Sequence, residues 1–514
     1  MTMTPPANKW IIAFTVMFPT LMVIVDTSIV NVSLDHIRGS LSAGIDEATW
    51  SITSYLAANA IIIPMTGWLG RVFGRKRVLN VSIIMFTLSS LFCGLAWNIE
   101  SLVVFRILQG LAGGSLQPIS QSILLETFPP HQHGTAMAVF GIGIMFGPII
   151  GPVLGGWITD NWTWHWIFYI NIPVGIVSVM LSHVFIEDPH YIRNTAMKID
   201  YRGLALLAIG VGCLQMILDR GQRLDWFSSQ FILSLGALSL VAIVLFIINE
   251  SVTEHPIVNL GILKNYSFSL GNIVVFFVVF NLFGSIVLLP VYLQNLMGYT
   301  AMLSGLVLMP GGLAALVAMP IAGILISRIN PKLIIAIGIA LTAYSTYLMS
   351  QFNQHADFVT ILWPRFYMGF GMGFIMVPLF TLTLSHIRKE EMGNATSIFN
   401  LLRNLGGSFG VAFSATLLTR RAQFHQARLV DHLTPFDMNY LWGSHRAADA
   451  LQLRGFEETL TSQGGLAVMY QKLLKEASMM SFNDVFYFLA ALTILMLPLV
   501  VSMKYIRHRA PESR

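Results

Sequence analysis

The sequence is poor in charge and nearly devoid of cysteine. Only 11% of its 514 residues are Asp, Glu, Lys or Arg, where a soluble globular chain carries about 25%. With 55% hydrophobic residues and a mean hydropathy of +0.69, a water-soluble domain is excluded. Two cysteines, Cys93 and Cys213, are too few for a disulfide framework or a thiolate metal site. No nucleophile–base set, phosphate loop or metal-ligand spacing occurs, so no enzyme, no metal and no other cofactor is expected. The net charge of +5 does not point to nucleic acid, because the basic residues cluster in short connections. The first apolar run continues past residue 26 without a small-residue cleavage site, which marks a span rather than a cleaved signal.

What the chain has instead is a series of apolar blocks, each long enough to cross a hydrocarbon layer of ~30 Å. A β-barrel would show short alternating segments. The pattern is that of an all-α polytopic membrane protein with fourteen transmembrane helices. They are expected near 10–33, 50–70, 78–97, 101–124, 135–157, 166–186, 201–218, 231–250, 269–292, 304–326, 333–351, 358–384, 394–418 and 484–504. The connections at 71–77, 193–202, 328–332 and 388–389 and the tail at 504–514 are basic, which places both termini in the cytoplasm. Residues 419–483 form a long polar segment on the outer side, with amphipathic pieces such as 466–477. It fits either a partner-binding domain or a solvated cap.

The chain also repeats. GWLGRVFGRK at 67–76 recurs loosely as GILISRINPK at 323–332, 256 positions later. Arg106 and Gly110 recur as Arg365 and Gly369, 259 positions later. Two matches at nearly one offset indicate duplicated halves. The expected parse is a six-helix bundle over 1–190, two inserted helices over 191–262, and a second six-helix bundle over 263–514 that includes the outer segment. Parallel repeats of this kind place a binding site near the midplane between the halves.

The most informative single residue is Asp26, alone in the apolar stretch LMVIVDTSIVNVSL at 21–34. A carboxylate at membrane depth costs roughly 3 kcal/mol even on lenient scales, and such groups normally face a partner or a cavity. At 1.5 Å per residue, Asp26 lies about 24 Å up the first span. Arg106 lies about 8 Å down the fourth span from the other side, at a similar level. Asp26–Arg106 is therefore the expected ion pair, with Arg365 as the alternative. Arg403, about 14 Å into its span, is too deep to snorkel and should face the interior. Asp219, Arg220 and Asp225 sit at a helix end and read as surface.

Glycines 143, 147, 151 and 155 in the fifth span form a smooth stripe that permits close helix approach. Pro148 and Pro152 remove backbone donors and invite a bend. Such a helix suits a rocking interface between domains. Gly67, Arg71, Gly74, Arg75, Lys76 and Arg77 mark an inner loop that orients the chain and is a candidate latch. Tyr55, Phe146, Phe280, Tyr292 and Phe399 are candidate walls of an adaptable apolar pocket. Asn59, Gln109, Gln121, Asn281 and Asn400 are candidate polar contacts in it, since buried amides need partners.

Together these residues resemble the major facilitator superfamily and, within it, fourteen-span drug:proton antiporters of the EmrB and QacA type. Asp26, Ser28, Val30 and Asn31 resemble the first-span motif, and RILQG at 106–110 the fourth-span motif associated with proton transfer. GPIIGPVLGG at 147–156 resembles the antiporter motif of the fifth span. LDRGQRLDWF at 218–227, HPIV at 255–258 and the long segment before the last span resemble the EmrB branch. The chain departs from the family at Arg71, where an Asp is usual, so the latch attributed to that acid must take another form. The resemblance implies export of hydrophobic, often cationic, drugs from the bacterial inner membrane, driven by protons through Asp26, Arg106 and Arg365. It also implies work alongside a periplasmic adaptor protein and an outer-membrane channel. Export of an endogenous metabolite, fatty acid or siderophore on the same fold is the alternative, with a non-transporting membrane sensor behind it.

Overall fold

In a hydrocarbon layer the backbone must satisfy its own hydrogen bonds, which leaves helices or closed barrels. The computed structural model of the chain describes residues 8–188, 200–385, 387–431, 433–434, 436–453 and 458–504. Every regular element among them is helical. The longer helices are α1 (Lys9–Val32), α2 (Ile45–Ile62), α3 (Thr66–Phe73), α4 (Arg75–Gly94), α5 (Ile99–Gly113), α6 (Leu116–Thr127), α7 (His133–Asn161) and α8 (Asn171–Phe185). There follow α9 (Tyr201–Arg220), α10 (Gln230–Val252), α11 (Tyr266–Asn295), α12 (Ala301–Leu325), α13 (Pro331–Met349) and α14 (Phe358–Leu384). The chain closes with α15 (Met392–Val430), α16 (Met438–Gln452), α17 (Glu458–Ile494) and α18 (Leu497–Ser502).

Twelve segments of the described chain are long and apolar enough to cross a membrane, and α2 with α3, α5 with α6, and α17 with α18 each make one of them. The helices α7 and α15 run beside them, so the fourteen expected spans map onto these twelve and two more. Polar side chains set the helix starts. Asn8, Asn98, Asn265 and Asn330 cap α1, α5, α11 and α13, and Asp200 and Asp357 cap α9 and α14. Each cap satisfies a backbone donor that would otherwise be orphaned, an effect of about 1 kcal/mol.

Helices α1–α8 pack mainly on one another, and so do α11–α18. The pair α9 and α10 leans on α2 from one side and α15 from the other. Gln215 Nε2 donates to Ser408 Oγ at 2.8 Å, and Trp226 Nε1 to Thr416 Oγ1 at 2.9 Å. Both ends of the described chain lie at one face, called here the terminal face. There a single apolar core runs through both helix groups, from Trp68, Phe128 and Phe140 to Phe268, Phe380 and Phe399. Toward the far face it divides. One cluster, around Ile29, Leu102 and Phe168, belongs to the first group; another, around Tyr292, Phe352 and Phe486, belongs to the second. The two groups are thus joined at the terminal face and have separate cores at the far one.

The outer segment differs from the expected polar connection. Helix α15 has 39 residues and reaches about 58 Å, almost twice the hydrocarbon thickness. Helix α17, with 37 residues, returns beside it, and α16 packs on α17. Residues 419–483 are therefore largely continuations of the last two spans, forming a projecting helical hairpin. Asp484 Oδ2 ties its base, accepting from Arg421 Nε at 2.6 Å and lying 2.6 Å from His425 Nε2. Expected basic positions at 193–199 and 505–514 lie outside the described residues.

Candidate functional site

Helix geometry brings five elements of the first group to one point. α1 supplies Asp26. α5 supplies Arg106 and, one turn on, Gln109. The first turn of α8 supplies Asn171, α4 supplies Ser90 and Cys93, and α2 supplies Tyr55 and the Ser51 carbonyl. Arg106 Nη1 donates to Asp26 Oδ2 at 2.7 Å and to Gln109 Oε1 at 2.7 Å, and Arg106 Nε donates to the Ser51 carbonyl at 3.1 Å. Asp26 Oδ1 accepts from Gln109 Nε2 at 3.0 Å and Asn171 Nδ2 at 2.7 Å. Ser90 Oγ in turn accepts from both amides. The Tyr55 ring covers the guanidinium at 4.1 Å, a cation–π contact. Asp26, Arg106 and Gln109 are each 0% exposed.

The carboxylate is therefore enclosed and fully engaged. The guanidinium engages one carboxylate oxygen and the two amides the other. Removing one member of such a pair leaves an uncompensated buried charge, at a cost of about 3–5 kcal/mol. The pair and its two amide donors tie α1, α5 and α8 together at one buried point. Arg365, the alternative partner, lies in the other helix group, with Nη1 3.5 Å from Ser285 Oγ and 3.2 Å from Met368 Sδ.

The two groups meet near the terminal face. A Cβ on Gly67 would lie 2.7 Å from the backbone of Gly393 and Asn394, so α3 and the start of α15 touch backbone to backbone. Gly134 of α7 packs on the Gly323 carbonyl of α12 and on Ile326 just past its end, and Gly141 packs on the Met319 side chain of α12. Higher up, Asn400 Nδ2 donates to Gln121 Oε1 at 2.5 Å and Arg403 Nη2 to Gln117 Oε1 at 2.6 Å. Arg403 thus faces the interior, between the groups. Arg71 donates to the Pro256 carbonyl at 3.3 Å, reaching the connection that leads into the second group. Arg75 forms a buried ion pair with Glu126 at the end of α6. Gly74, at φ +84°, makes the turn that lets Lys76 N donate to Asp188 Oδ1 at 2.8 Å.

The glycine stripe of α7 has a different neighbour from the one expected. A Cβ on Gly143, Gly147, Gly151 or Gly155 would strike Met17, Ile24, Ser28 or Ile29, all on α1. The stripe closes α7 onto the helix that carries Asp26, inside one group; the interface between groups uses the opposite glycines. The side chains of Pro148 and Pro152 lie outside the described residues.

The expected pocket residues scatter. Gln109 and Tyr55 belong to the ion-pair site. Gln121 and Asn400 bridge the groups. Asn281 is 0% exposed and donates to the Leu489 carbonyl and Thr493 Oγ1 of α17. Tyr292 stacks on Phe352 and donates to the Asn353 carbonyl. Phe280 is buried against Phe277 and Phe413, and Phe399 against Phe380. Asn59 is half-buried and Phe146 exposed. Sequence reasoning missed Asn171 and Ser90. The i, i+3 spacing of Arg106 and Gln109 was the one available sign that Gln109 belongs with the arginine.

Comparison with known proteins agrees with this architecture. The profile of the Major Facilitator Superfamily matches residues 16–411. The fatty acid resistance protein FarB of Neisseria gonorrhoeae is 36% identical over 93% of both chains. The multidrug export protein EmrB of Escherichia coli K12 is 36% identical over 94% of this chain and 92% of its own. Among solved structures, the human organic anion transporter MFSD10 superposes with a TM-score of 0.60 at 12% identity, covering 95% of this chain and 100% of that one. The proton:xylose symporter XylE superposes with a TM-score of 0.58 at 15% identity, covering 94% of each. At such identities the two structures speak for the fold alone.

Proposed function

The chain belongs to the major facilitator superfamily, and on that premise we propose that it is a proton-coupled efflux transporter for hydrophobic compounds, working by alternating access. It is a multi-pass membrane transporter and not an enzyme. The observation that carries the proposal is the enclosed Asp26–Arg106 pair, 0% exposed on both sides. The pair is a two-state element: charged and bonded, or protonated and released. A membrane potential of ~150 mV supplies roughly 3.5 kcal/mol per proton, comparable with the ~3–5 kcal/mol needed to break such a pair. Drug and proton need not share an atom; each need only bias the same equilibrium between states.

The joined core at the terminal face and the divided core at the far face fit one end-state of that cycle, with the far side open. In this reading the termini are cytoplasmic, the far face is periplasmic, the membrane is the bacterial inner membrane, and the proton gradient replaces any cofactor. Arg365 is a coupling residue of the second group. The names of the relatives, multidrug export and fatty acid resistance, support export as the task. A fatty acid or other endogenous amphiphile is the second reading, favoured by the half-buried Arg403 between the groups.

The projecting hairpin supports a further element: a periplasmic adaptor protein docks on it and leads to an outer-membrane channel. Along α16 and its two ends it exposes Phe436, Met438, Trp442 and Leu453, with Phe436 at 95% and Leu453 at 90%, and exposed apolar surface marks interaction sites. The test of the core proposal is transport in proteoliposomes holding the full chain. An imposed pH gradient should drive accumulation of a hydrophobic drug, and collapse of the gradient by an ionophore should stop it. Accumulation indifferent to the ionophore would remove proton coupling.

A further inference from the structure

The connection from the inserted pair α9 and α10 into the second group, residues 253–265, is more than a tether. Ile257, Val258 and Ile262 on it are buried in the joined core at the terminal face. Val258 N donates to Glu250 Oε2 at 2.9 Å, which fixes the connection to the end of α10. Asn394, in the first turn of α15, holds it from the second group by a reciprocal pair. Asn259 N donates to Asn394 Oδ1 at 3.2 Å, and Asn394 Nδ2 donates to the Asn259 carbonyl at 2.9 Å. Pro256, without a backbone N–H, presents only an acceptor.

The first group reaches the same connection through the half-buried Arg71 of α3. Arg71 Nη2 donates to the Pro256 carbonyl at 3.3 Å. Glu391, just before α15, is a charged neighbour acting on the same guanidinium, and it also pairs with Arg388 at 3.4 Å. A carbonyl and a carboxylate are both acceptors, and a guanidinium is all donor. A carboxylate at position 71 would face an oxygen and a like charge. The contact stands where Gly67 meets Gly393 and Asn394 backbone to backbone. Parting the groups at the terminal face therefore draws Arg71 off the connection. The inserted pair is bonded to the second group farther along as well, from Gln215 to Ser408 and from Trp226 to Thr416.

We propose that the connection 253–265 is a clasp that holds the terminal face shut, carried by the second group and caught by Arg71 of the first. It is released when Arg71 leaves the Pro256 carbonyl. This rests on the alternating-access reading above and gives the inserted pair a task of its own. The pair touches neither cargo nor proton; it sets the ratio between the two end-states. Arg71, Pro256 and Asn394 are positioning residues in this scheme. A hydrogen bond from a charged donor shifts such a ratio on the order of tenfold to a hundredfold. The catch also has the opposite polarity to a latch built on an acid at position 71.

The experiment places spin labels on the full chain at Arg77→Cys and Leu333→Cys, exposed positions at the starts of α4 and α13. Cys213 is replaced by Ala; Cys93 is buried and stays. Double electron–electron resonance in detergent at one fixed pH then reads the distance between the groups. Wild type should show mainly a short distance. Arg71→Ala and Asn394→Ala should each raise the ratio of a longer distance to the short one by roughly tenfold. Arg71→Lys, which keeps a charged donor, should stay near wild type. Arg71→Asp should open the face furthest, because it sets an acid against Glu391. A melting curve of each variant separates opening from unfolding. An Arg71→Asp protein that stays shut, or a wild-type distribution in both alanine variants, would overturn the inference. Uptake of ethidium and decanoate by wild type in proteoliposomes under a pH gradient tests the efflux reading separately. If neither probe moves, that reading falls, while the distances still decide the clasp.

Discussion

Replacing Asp26 by Asn changes one atom and one charge. The side chain keeps its shape and can still meet Gln109 and Asn171, but Arg106, 0% exposed, loses its counter-ion. Leaving a buried guanidinium uncompensated costs about 3–5 kcal/mol. The cost should appear as a lower melting temperature in detergent. Replacing both members, Asp26→Asn with Arg106→Gln, should recover most of it, because a neutral hydrogen-bonded pair needs no counter-charge. Transport should not follow stability. In proteoliposomes under a pH gradient, both variants should lose gradient-driven uptake, the stable double variant included. The double variant thereby separates a fold defect from a coupling defect. Gradient-driven uptake within twofold of wild type in either variant would refute the assignment of Asp26.

Other outcomes follow from the same geometry. Gly147→Leu forces a side chain into Ile24 of α1; overpacking of this kind costs about 1–3 kcal/mol, and an unchanged melting temperature would count against a tight α1–α7 contact. Glu126→Gln leaves Arg75 without this carboxylate in a site where both side chains are less than a tenth exposed. It should destabilise by about 3 kcal/mol and raise the labelling of a cysteine placed at Gly393. Trp442→Glu on α16 should leave transport in proteoliposomes unchanged yet abolish co-purification with an adaptor protein, and retained co-purification would move the docking surface elsewhere.

The spans were legible because their period and length answer to one constraint, the thickness of the hydrocarbon. The Asp26–Arg106 pairing was legible too, since depth can be counted along a helix at 1.5 Å per residue. Side-chain direction cannot be counted that way. Tyr292, Asn281 and Gln109 carry the chemistry of pocket walls, yet they turn into their own bundles, where they donate to the Asn353 carbonyl, the Leu489 carbonyl and Asp26. Asn171 escaped notice because it follows a bend at the start of the sixth span and has no charged neighbour to announce it. The segment at 419–483 is polar, and polarity reads as loop. In the structure its residues extend two helices into water, tied by Asp484 to Arg421 and His425. The repeat offsets were visible from the start, but not that Ser285 and Met368 stand beside Arg365 where Asp26 and Gln109 stand beside Arg106.

The most direct test is proton release on substrate binding. The purified transporter in weakly buffered detergent is mixed with a saturating transported compound and a pH-indicator dye. Wild type should release protons as binding restores the charged Asp26–Arg106 pair, and Asp26→Asn should bind the compound and release none. Equal release from the two proteins would contradict the account.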